Sequence, residues 1–286
     1  MGPQAALLSG GTRLHLQHGP IDLIIGADHN RAQVFDAAQA AFDGVLQGLV
    51  DQLPLLRTRR NLIQSAAQTE TASRMMRATK PYADQWFVTP MAAVAGSVAD
   101  TVLAAMVTQT NPGRAYVNNG GDIAVHLDPG QTFTLGMALQ DGTALGQFRM
   151  THAMPARGVA TSGRHGRSLS LGIADSATVL AATAAEADVA ATLIANAVDL
   201  PGHPAITRQP AQDIHPDSDL GTRQVVTRCA PLSAPDRACA LEAGLARARE
   251  CVQRRLIHGA ALFLQGDSRL LNPAPFTLTE KSFADA

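Results

Sequence analysis

Three short segments combine polar side chains with glycine or alanine at spacings that suit ligand binding. The first reads Asn-Asn-Gly-Gly-Asp-Ile over residues 118–123. Gly120 and Gly121 allow the backbone to approach a ligand and to turn its N–H groups towards an anion, while Asn119 and Asp122 can bind a hydroxyl or an amide. Asn-Gly is also the commonest signal for a tight turn between two strands. The sequence leaves both interpretations open.

The second segment ends an apolar stretch with a loop that contains hydroxyl groups, glycines and guanidinium groups. Its candidate binding residues are Thr161, Ser162, Gly163, Arg164 and Arg167. Hydroxyl, backbone N–H and guanidinium donors together suit a phosphate or pyrophosphate group, and a solvated hairpin loop is the alternative interpretation. The chain has neither the Gly-Lys-Ser/Thr ending of a P-loop nor a Gly-x-Gly-x-x-Gly fingerprint between a strand and a helix, so neither nucleotide-binding fold is supported.

The third segment is the Ala-rich stretch 184–192, in which Asp188 and Thr192 are four residues apart. On a helix this spacing places both side chains on one face, and their neighbours on that face are alanines. A carboxylate and a hydroxyl in such a place can hold Mg²⁺, which prefers oxygen ligands and leaves positions for substrate phosphates. In the alternative interpretation the helix dipole favours Asp188 in the first turn and Thr192 lies at the edge of the core.

The composition excludes several classes of protein. The chain has 286 residues, of which 46% are hydrophobic and 16% are charged, which is typical of a folded globular protein. Its net charge of −1 comes without a basic cluster, so we expect no nucleic-acid partner. The apolar stretch from Val88 to Met106 is interrupted by Asp100 and predicts a buried helix rather than a membrane span. Without a basic export signal at the start, we expect a cytoplasmic protein.

The hydrophobic pattern predicts the order of the elements. The N-terminal part gives a hairpin (13–17 with 21–26), a helix over 32–53 capped by Asp28 or Asn30, and a partly helical connection over 57–80. A helix from Met91 to Val107 precedes strands near 114–117, 123–127, 132–139, 145–150, 158–161, 168–172 and 176–182. A helix over 184–198, a C-terminal helix capped by Asp236 and a strand over 260–265 follow. The segments 57–80 and 204–233 have no functional interpretation.

This order predicts an α+β protein in which mixed or antiparallel sheet layers pack against helices. No internal repeat or low-complexity linker divides the chain, so we expect a single domain over residues 1–286. Its motif-bearing core spans about 88–200, and a frayed tail is expected over 273–286. An Ala-rich surface is compatible with a homodimer.

The three segments, in this order, resemble the motifs of the ApbE-like flavin transferases. That family carries an Asn-x-Gly-Gly-Asp-Ile loop, an Ala-Thr-Ser-Gly strand end, and an Ala-Asp pair with Thr four residues after the Asp. The matching residues here are Asn118–Ile123, Ala160–Gly163, and Ala187-Asp188 with Thr192; Met91–Gly96 with Asp100 is similar to a degraded Gly-Gly-Ile-Ala-Lys-Gly helix start. The resemblance covers roughly residues 88–200 and is greatest to a short branch of that superfamily.

The resemblance implies an ApbE-like superfold with a flavin site. FAD, or FMN after cleavage, would lie along Asn119–Asp122 and Thr161–Gly163. Mg²⁺ would bind Asp188, Thr192 and the backbone carbonyl of Ala92, next to the pyrophosphate. In the family, FAD is cleaved and FMN is moved onto a protein threonine, with the metal neutralising phosphate charge.

Two departures from the family pattern bear on the activity. Ala95 stands where the family has a lysine, and the family's His-x-x-Asp-Pro-x-Thr-Gly stretch is missing after Gly163. Arg164 or Arg167 could supply the missing positive charge. The leading hypothesis is a Mg²⁺-dependent enzyme that transfers or hydrolyses a flavin nucleotide, with Asp188 and these two arginines as the candidate catalytic residues. The alternatives are a ligand-binding protein that keeps the fold without the chemistry, and an unrelated small-molecule enzyme in the same fold.

Overall fold

A computed structural model describes residues 2–139 and 141–279, and its largest element is a nine-stranded sheet. All the pairings between its neighbouring strands are antiparallel. In spatial order the strands are β1 (Gln4–Leu7), β2 (Arg13–His18), β3 (Ile21–Ala27), β4 (Arg114–Asn119), β5 (Asp122–Leu127), β8 (Gly158–Ser162), β9 (Ser176–Ala181), β12 (Gly259–Leu264) and β13 (Asp267–Leu271).

Two smaller sheets contain the remaining described strands. The three-stranded sheet has the order β14-β7-β6, from β6 (Thr132–Ala138), β7 (Ala144–Thr151) and β14 (Phe276–Leu278). A two-stranded sheet pairs β10 (Ile206–Pro210) with β11 (Gln224–Cys229).

The described helices are α1 (Arg31–Phe42), α2 (Val45–Val50), α3 (Leu53–Leu56), α4 (Glu70–Thr79), α5 (Val94–Thr110), α6 (Ala184–Ala197), α7 (Ala211–Ile214) and α8 (Ala234–Gln253). Single 3₁₀ turns occupy Arg60–Leu62, Lys80–Tyr82 and Pro90–Ala93. The last of these turns leads directly into α5.

Alternation along the central strands assigns neighbouring residues to opposite faces of the large sheet. Ala124 packs in a core with α1 and α5, whereas Val125 packs in a core with β6, β7 and β14. In β8, Ala160 faces the core that contains α6 and α8, and Val159 faces the small sheet. Helices therefore cover one face and the three-stranded sheet covers part of the other, which confirms the predicted α+β fold.

The helices α5 and α6 cross with their backbones in close contact. A Cβ on Gly96 would lie 2.2 Å from the carbonyl oxygen of Ala184, so this position requires glycine. The sequence predicts close packing for α5 because its side chains are small. The close contact between α5 and α6 explains why α5 has small side chains.

The prediction of one long helix over 32–53 is wrong. The structure ends α1 at Phe42 and restarts the helix after Gly44, whose φ of +77° favours glycine. Asn30 occupies the N-cap position in a left-handed conformation, but its side chain accepts no cap hydrogen bond. The carboxylate of Asp28 accepts instead from the N–H of His29, at 2.9 Å.

The strand predicted over 168–172 is absent from the described structure. Its backbone runs against the end of α6, where the N–H of Leu171 donates to Asn196 Oδ1 at 2.9 Å. A Cβ on Gly172 would lie 2.3 Å from the carbonyl oxygen of Ala195. The Ser170 carbonyl also accepts from the N–H of Val226 in β11 at 2.8 Å, so the segment's backbone is satisfied by single contacts and not by a ladder.

The N-cap of the C-terminal helix lies three residues before the predicted one. Ser233 is the N-cap, and its Oγ accepts from the N–H of Asp236 at 3.3 Å. Asp236 is the third residue of the helix, where a carboxylate is favourable. The tail over 273–286 was expected to be frayed, but its residues in β14 pair with β7. Residues 280–286 lie outside the described residues.

The two segments without an interpretation, 57–80 and 204–233, both contact residues 87–89. The guanidinium of Arg223 lies 3.4 Å from the ring centre of Phe87, and Thr89 donates a hydrogen bond to Asp219. The N–H of Arg60 donates to the carbonyl of Val88 at 2.8 Å. Residues near 60 and near 220 thus both brace the chain that enters α5.

One helical stretch, Pro90–Thr110, is long and apolar enough to cross a membrane by length and composition. It contains the buried Asp100 and packs against α1, α6, β4 and β5. The cytoplasmic location stays a prediction.

Candidate functional site

A cavity of about 510 Å³ opens at the turn between β4 and β5, in the centre of the large sheet. Its walls come from that turn, from β6, from the end of β8 with its following loop, and from the start of β9. The first two candidate segments of the sequence therefore line one cavity. Asp188 of α6 lies close enough to Asp122, in the cavity wall, to raise its pKa.

The β4–β5 segment is both a tight turn and a cavity wall. Gly120 and Gly121 have φ values of +65° and +111°, and the N–H of Gly121 donates to Asn118 Oδ1 at 2.8 Å. A Cβ on Gly120 would lie 2.2 Å from the Nη2 atom of Arg167. The two interpretations of this motif are compatible with each other.

Asn119 is the buried amide of the turn, with 3% of its surface exposed. Its Nδ2 donates to the carbonyl oxygen of Ala95 at 3.1 Å. Its Oδ1 is buried and has no hydrogen-bond partner among the described residues. A buried carbonyl oxygen without a partner costs free energy unless a ligand, ion or water satisfies it.

Asp122 and Asp188 are close enough to affect each other's charge. Burial raises the pKa of Asp122 well above its usual value, and the negative charge of Asp188 raises it further. A hydrogen bond from the Thr161 backbone and the positive charge of Arg167 act in the opposite direction. Two carboxylates in one desolvated place favour a bound proton or a bound cation.

Asp188 also stabilises a helix end. Its Oδ2 accepts from the N–H of Gly96 at 3.0 Å, in the first turn of α5. Burial raises the pKa of Asp188 to about 7, although hydrogen bonds from the amides of Gly96 and Ala95 lower it. Asp188 is the fifth residue of α6 and lies beyond its first turn, so the dipole of its own helix does not explain its position.

Asp100 makes the reciprocal contact, which the sequence interpretation missed. Its Oδ1 and Oδ2 accept from the N–H groups of Ala184 and Ala185 at 3.1 and 2.9 Å, in the first turn of α6. Each of the two crossing helices therefore supplies a carboxylate to the N-terminus of the other. A lone Asp in the apolar sequence of α5 is the signal that could have found it.

The other two candidate metal ligands lie on different elements. Thr192 is half-buried on α6, one turn after Asp188. Ala92 lies in the 3₁₀ turn before α5, whereas the backbone groups that contact Asp188 belong to Ala95 and Gly96. Among the described residues no group of three or more His, Cys, Asp or Glu side chains could hold a metal ion.

The second segment brings its hydroxyl groups to the cavity. Thr161 Oγ1 is 2.9 Å from Thr178 Oγ1, and Ser162 also lines the wall. A Cβ on Gly163 would lie 2.5 Å from the carbonyl oxygen of Asp175, so the loop turns close to β9. Ser176, at the start of β9, has a buried Oγ without a partner among the described residues and was not predicted.

The structure separates the two candidate arginines. Arg164 donates through Nε and Nη2 to Asp175 Oδ1, at 2.9 and 2.7 Å, and its side chain is largely buried. Arg167 donates from Nη1 to the carbonyl of Pro20 at 3.1 Å and lines the cavity over Gly120. Arg167 is therefore the guanidinium that is available to a ligand.

The fold and the site together define an α+β protein with a polar, carboxylate-lined cavity at a turn of its central sheet. The family model described as "AbpE bacteria" matches residues 5–270, so the chain belongs to that family. This confirms the resemblance to the ApbE-like superfamily that the motifs predict.

Two curated relatives match this chain over less than half of its length. UPF0280 proteins of Methanopyrus kandleri and Methanothrix thermoacetophila are both 38% identical to this chain, over 128 and 115 residues, or 44% and 39% of this chain. These regions are 48% and 46% of those proteins, so the chain spans about half the length of the curated relatives it matches.

Two solved structures have similar shapes at low identity. The Pseudomonas stutzeri flavinyl transferase ApbE has a TM-score of 0.43 and 11% identity, covering 98% of this chain and 96% of that one. The flavin transferase ApbE from Vibrio cholerae has a TM-score of 0.44 and 13% identity, covering 96% and 100%. At these scores the family assignment rests on the family model.

Proposed function

We propose that this protein is a Mg²⁺-dependent enzyme that binds FAD and cleaves its pyrophosphate, either transferring or hydrolysing the flavin nucleotide. The observation that carries the proposal is a group of acceptor oxygens beside the Gly120–Gly121 turn of the cavity, one of which has no partner. Asn119 Oδ1 has no partner among the described residues, and Asp122 and Asp188 raise the cost of each other's negative charge. A cation would satisfy all three groups.

The donor set fits Mg²⁺ rather than a transition metal. Asp122 and Asp188 supply carboxylate oxygens, and the hydroxyl-bearing Thr192 lies one turn from Asp188. These are all oxygen ligands, whereas transition metals favour sulfur or imidazole. Mg²⁺ commonly binds one or two carboxylates and completes its shell with water and substrate phosphates. When bound, the metal would neutralise charge on the pyrophosphate.

The cavity residues supply the remaining functions of a pyrophosphate site. Arg167 supports binding of the second phosphate because it reaches over Gly120, where no side chain intervenes. The left-handed backbone at Gly120 and Gly121 allows the ligand to approach the turn closely. Ala95, which replaces the family lysine, lines the same cavity, so Arg167 can supply the missing positive charge.

The reaction needs an oxygen nucleophile, either a hydroxyl group or water. Its oxygen bonds to the flavin-side phosphorus while the bond from that phosphorus to the bridging oxygen breaks, and AMP leaves with the bridging oxygen. The proton of the nucleophile passes to Asp122, a carboxylate that lines the cavity and whose pKa is raised by burial and by the negative charge of Asp188. A hydroxyl nucleophile gives transfer, and water gives hydrolysis to FMN and AMP.

A ligand-binding protein without catalysis is the second candidate. Two observations favour it: the lysine is replaced by Ala95, and Asp188 has a structural role because it accepts from the Gly96 amide. In this case the cavity would bind the flavin nucleotide without releasing AMP.

The test is isothermal titration of FAD into the purified protein, with and without Mg²⁺. Asp188→Asn is the informative variant because the amide oxygen can still accept from Gly96 while the charge is lost. We expect Mg²⁺ to strengthen FAD binding at least tenfold in the wild type and in the exposed control Asp43→Asn. In Asp188→Asn the metal should have no effect.

Product analysis then separates the candidates. AMP release with FMN left on a protein hydroxyl indicates transfer, and AMP with free FMN indicates hydrolysis. Mg²⁺-dependent binding without AMP supports the non-catalytic alternative. FAD binding that is equal with and without Mg²⁺, or absent in both, would refute the metal-dependent flavin site.

A further inference from the structure

The outer edge of β6 has backbone groups that no other described strand covers. β6 is the last strand of the small sheet, and among the described strands it pairs with β7 alone. The carbonyl of Gln131 accepts from His152, so odd-numbered residues at this end of the strand face β7. Thr134 and Gly136 therefore direct their N–H and C=O groups away from β7.

A side-chain contact supports this assignment of the edge. The carbonyl of Thr132, which has the same parity as Thr134 and Gly136, accepts from Arg114 Nη1 of β4 at 3.2 Å. Within residues 2–139 and 141–279, the outward backbone groups of Thr134 and Gly136 have no hydrogen-bond partner. The sequence of β6, Thr-Phe-Thr-Leu-Gly-Met-Ala, contains no charge or proline that would block strand addition.

This free edge connects two cavities. Gly136, the last two residues of the strand and Leu139 after it line the main cavity. Phe133, near the other end of the strand, lines a smaller cavity of about 140 Å³. The rise of about 3.4 Å per residue puts these two positions about 10 Å apart. An added strand of only a few residues would reach both cavities.

The smaller cavity is positively charged. Three arginines, Arg13, Arg31 and Arg114, line it, and Asp28 is the one acidic residue among its lining residues. The Arg114 guanidinium lies 5.3 Å from the centre of the Phe133 ring, which fixes its position next to the edge. Such a cavity complements an acidic side chain.

We propose that the β6 edge binds an extended segment of a partner protein as an added strand. The segment presents an Asp or Glu side chain to the arginine cavity, and its backbone two to four residues away lies beside the main cavity. Backbone hydrogen bonds to Thr134 and Gly136 give affinity, and the arginine cavity gives specificity. The binding of the strand does not rest on the proposed function.

The test compares Gly136→Pro with Gly136→Ala. Proline removes the outward N–H and leaves the ladder to β7 intact, whereas alanine keeps the N–H and its Cβ meets no atom within 4 Å. The probe is a phage library of random 12-residue peptides, selected on the wild-type protein without flavin.

We expect the selected peptides to be enriched in Asp or Glu. Fluorescence anisotropy should show at least tenfold weaker binding to Gly136→Pro and unchanged binding to Gly136→Ala. N-methylation of the peptide backbone should weaken binding at alternate residues only. If Gly136→Pro does not fold, Arg31→Gln replaces it, with an expected loss of about fivefold for acidic peptides.

Failure of this proposal is distinguishable from failure of the proposed function. A library that gives no binding peptide, or peptides that bind Gly136→Pro and Gly136→Ala equally, would overturn the strand-addition site whatever the flavin titration shows. If peptides bind as expected while FAD does not bind at all, strand addition is supported and the proposed function fails.

Discussion

Asp100 is a buried carboxylate outside the proposed ligand set, and both of its oxygens accept from amides in the first turn of α6. Burial raises its pKa from 3.8 to about 6, and the hydrogen bonds from Ala185 and Ala184 only partly offset this effect. The folded protein thus holds the proton more tightly than the unfolded chain. Its contribution to stability is complete below about pH 4 and is lost as the pH rises to about 6.

The substitution Asp100→Asn tests whether the stability falls as the pH rises through this range. A rise in pKa of this size corresponds to about 3 kcal/mol, so the variant should gain stability relative to the wild type by up to that amount between pH 4 and 6.5. Urea unfolding followed by the fluorescence of Trp86, the only tryptophan, measures the difference. Asp43→Asn serves as the exposed control. A difference between Asp100→Asn and the wild type that does not change with pH would contradict the prediction.

The local part of the site was predictable from residue types. Three features depend only on neighbours in the sequence: the two glycines of the β4–β5 turn, the hydroxyl of Thr161, and the spacing of Asp188 and Thr192. The reciprocal capping by Asp100 and the pairing of Arg164 with Asp175 were not predictable. They depend on which helices cross and which loop lies beside β9, and a single sequence does not encode those distances locally.

The crossing of α5 and α6 is the element that positions Asp188. Gly96→Ala should destabilise the protein by several kcal/mol, because the new Cβ would lie 2.2 Å from the Ala184 carbonyl oxygen. Helix propensity alone favours alanine by about 1 kcal/mol, so the sign of the change identifies the contact. Urea unfolding of Gly96→Ala beside Gly136→Ala, whose Cβ is free of contacts, makes the measurement. Equal stability of the two variants would show that the helices can separate without cost.

Strands and helices were predicted to different degrees for a physical reason. The alternating Leu14 and Leu16, or Leu23 and Ile25, determine their strands because one face is buried. The helix over 32–53 was predicted through Gly44 because apolar spacing continues beyond it, whereas the backbone turns there. The role of β6 as a cavity wall depends on how the small sheet packs on the large one, and periodicity along a strand contains no such information.

At the scale of the whole molecule, burial predicts an order of local opening across the sheet. β9 and β12 are adjacent and buried at all six positions of each, whereas β1, at one edge, is exposed at all four. Hydrogen exchange should be slowest in β9 and β12 and fastest in β1, because few buried contacts oppose opening of the edge. Mass spectrometry of deuterated peptides at two protein concentrations measures this order. Protection of β1 as strong as that of β9, increasing with protein concentration, would contradict this order. A second copy of the chain would then cover the β1 edge, as expected for a homodimer.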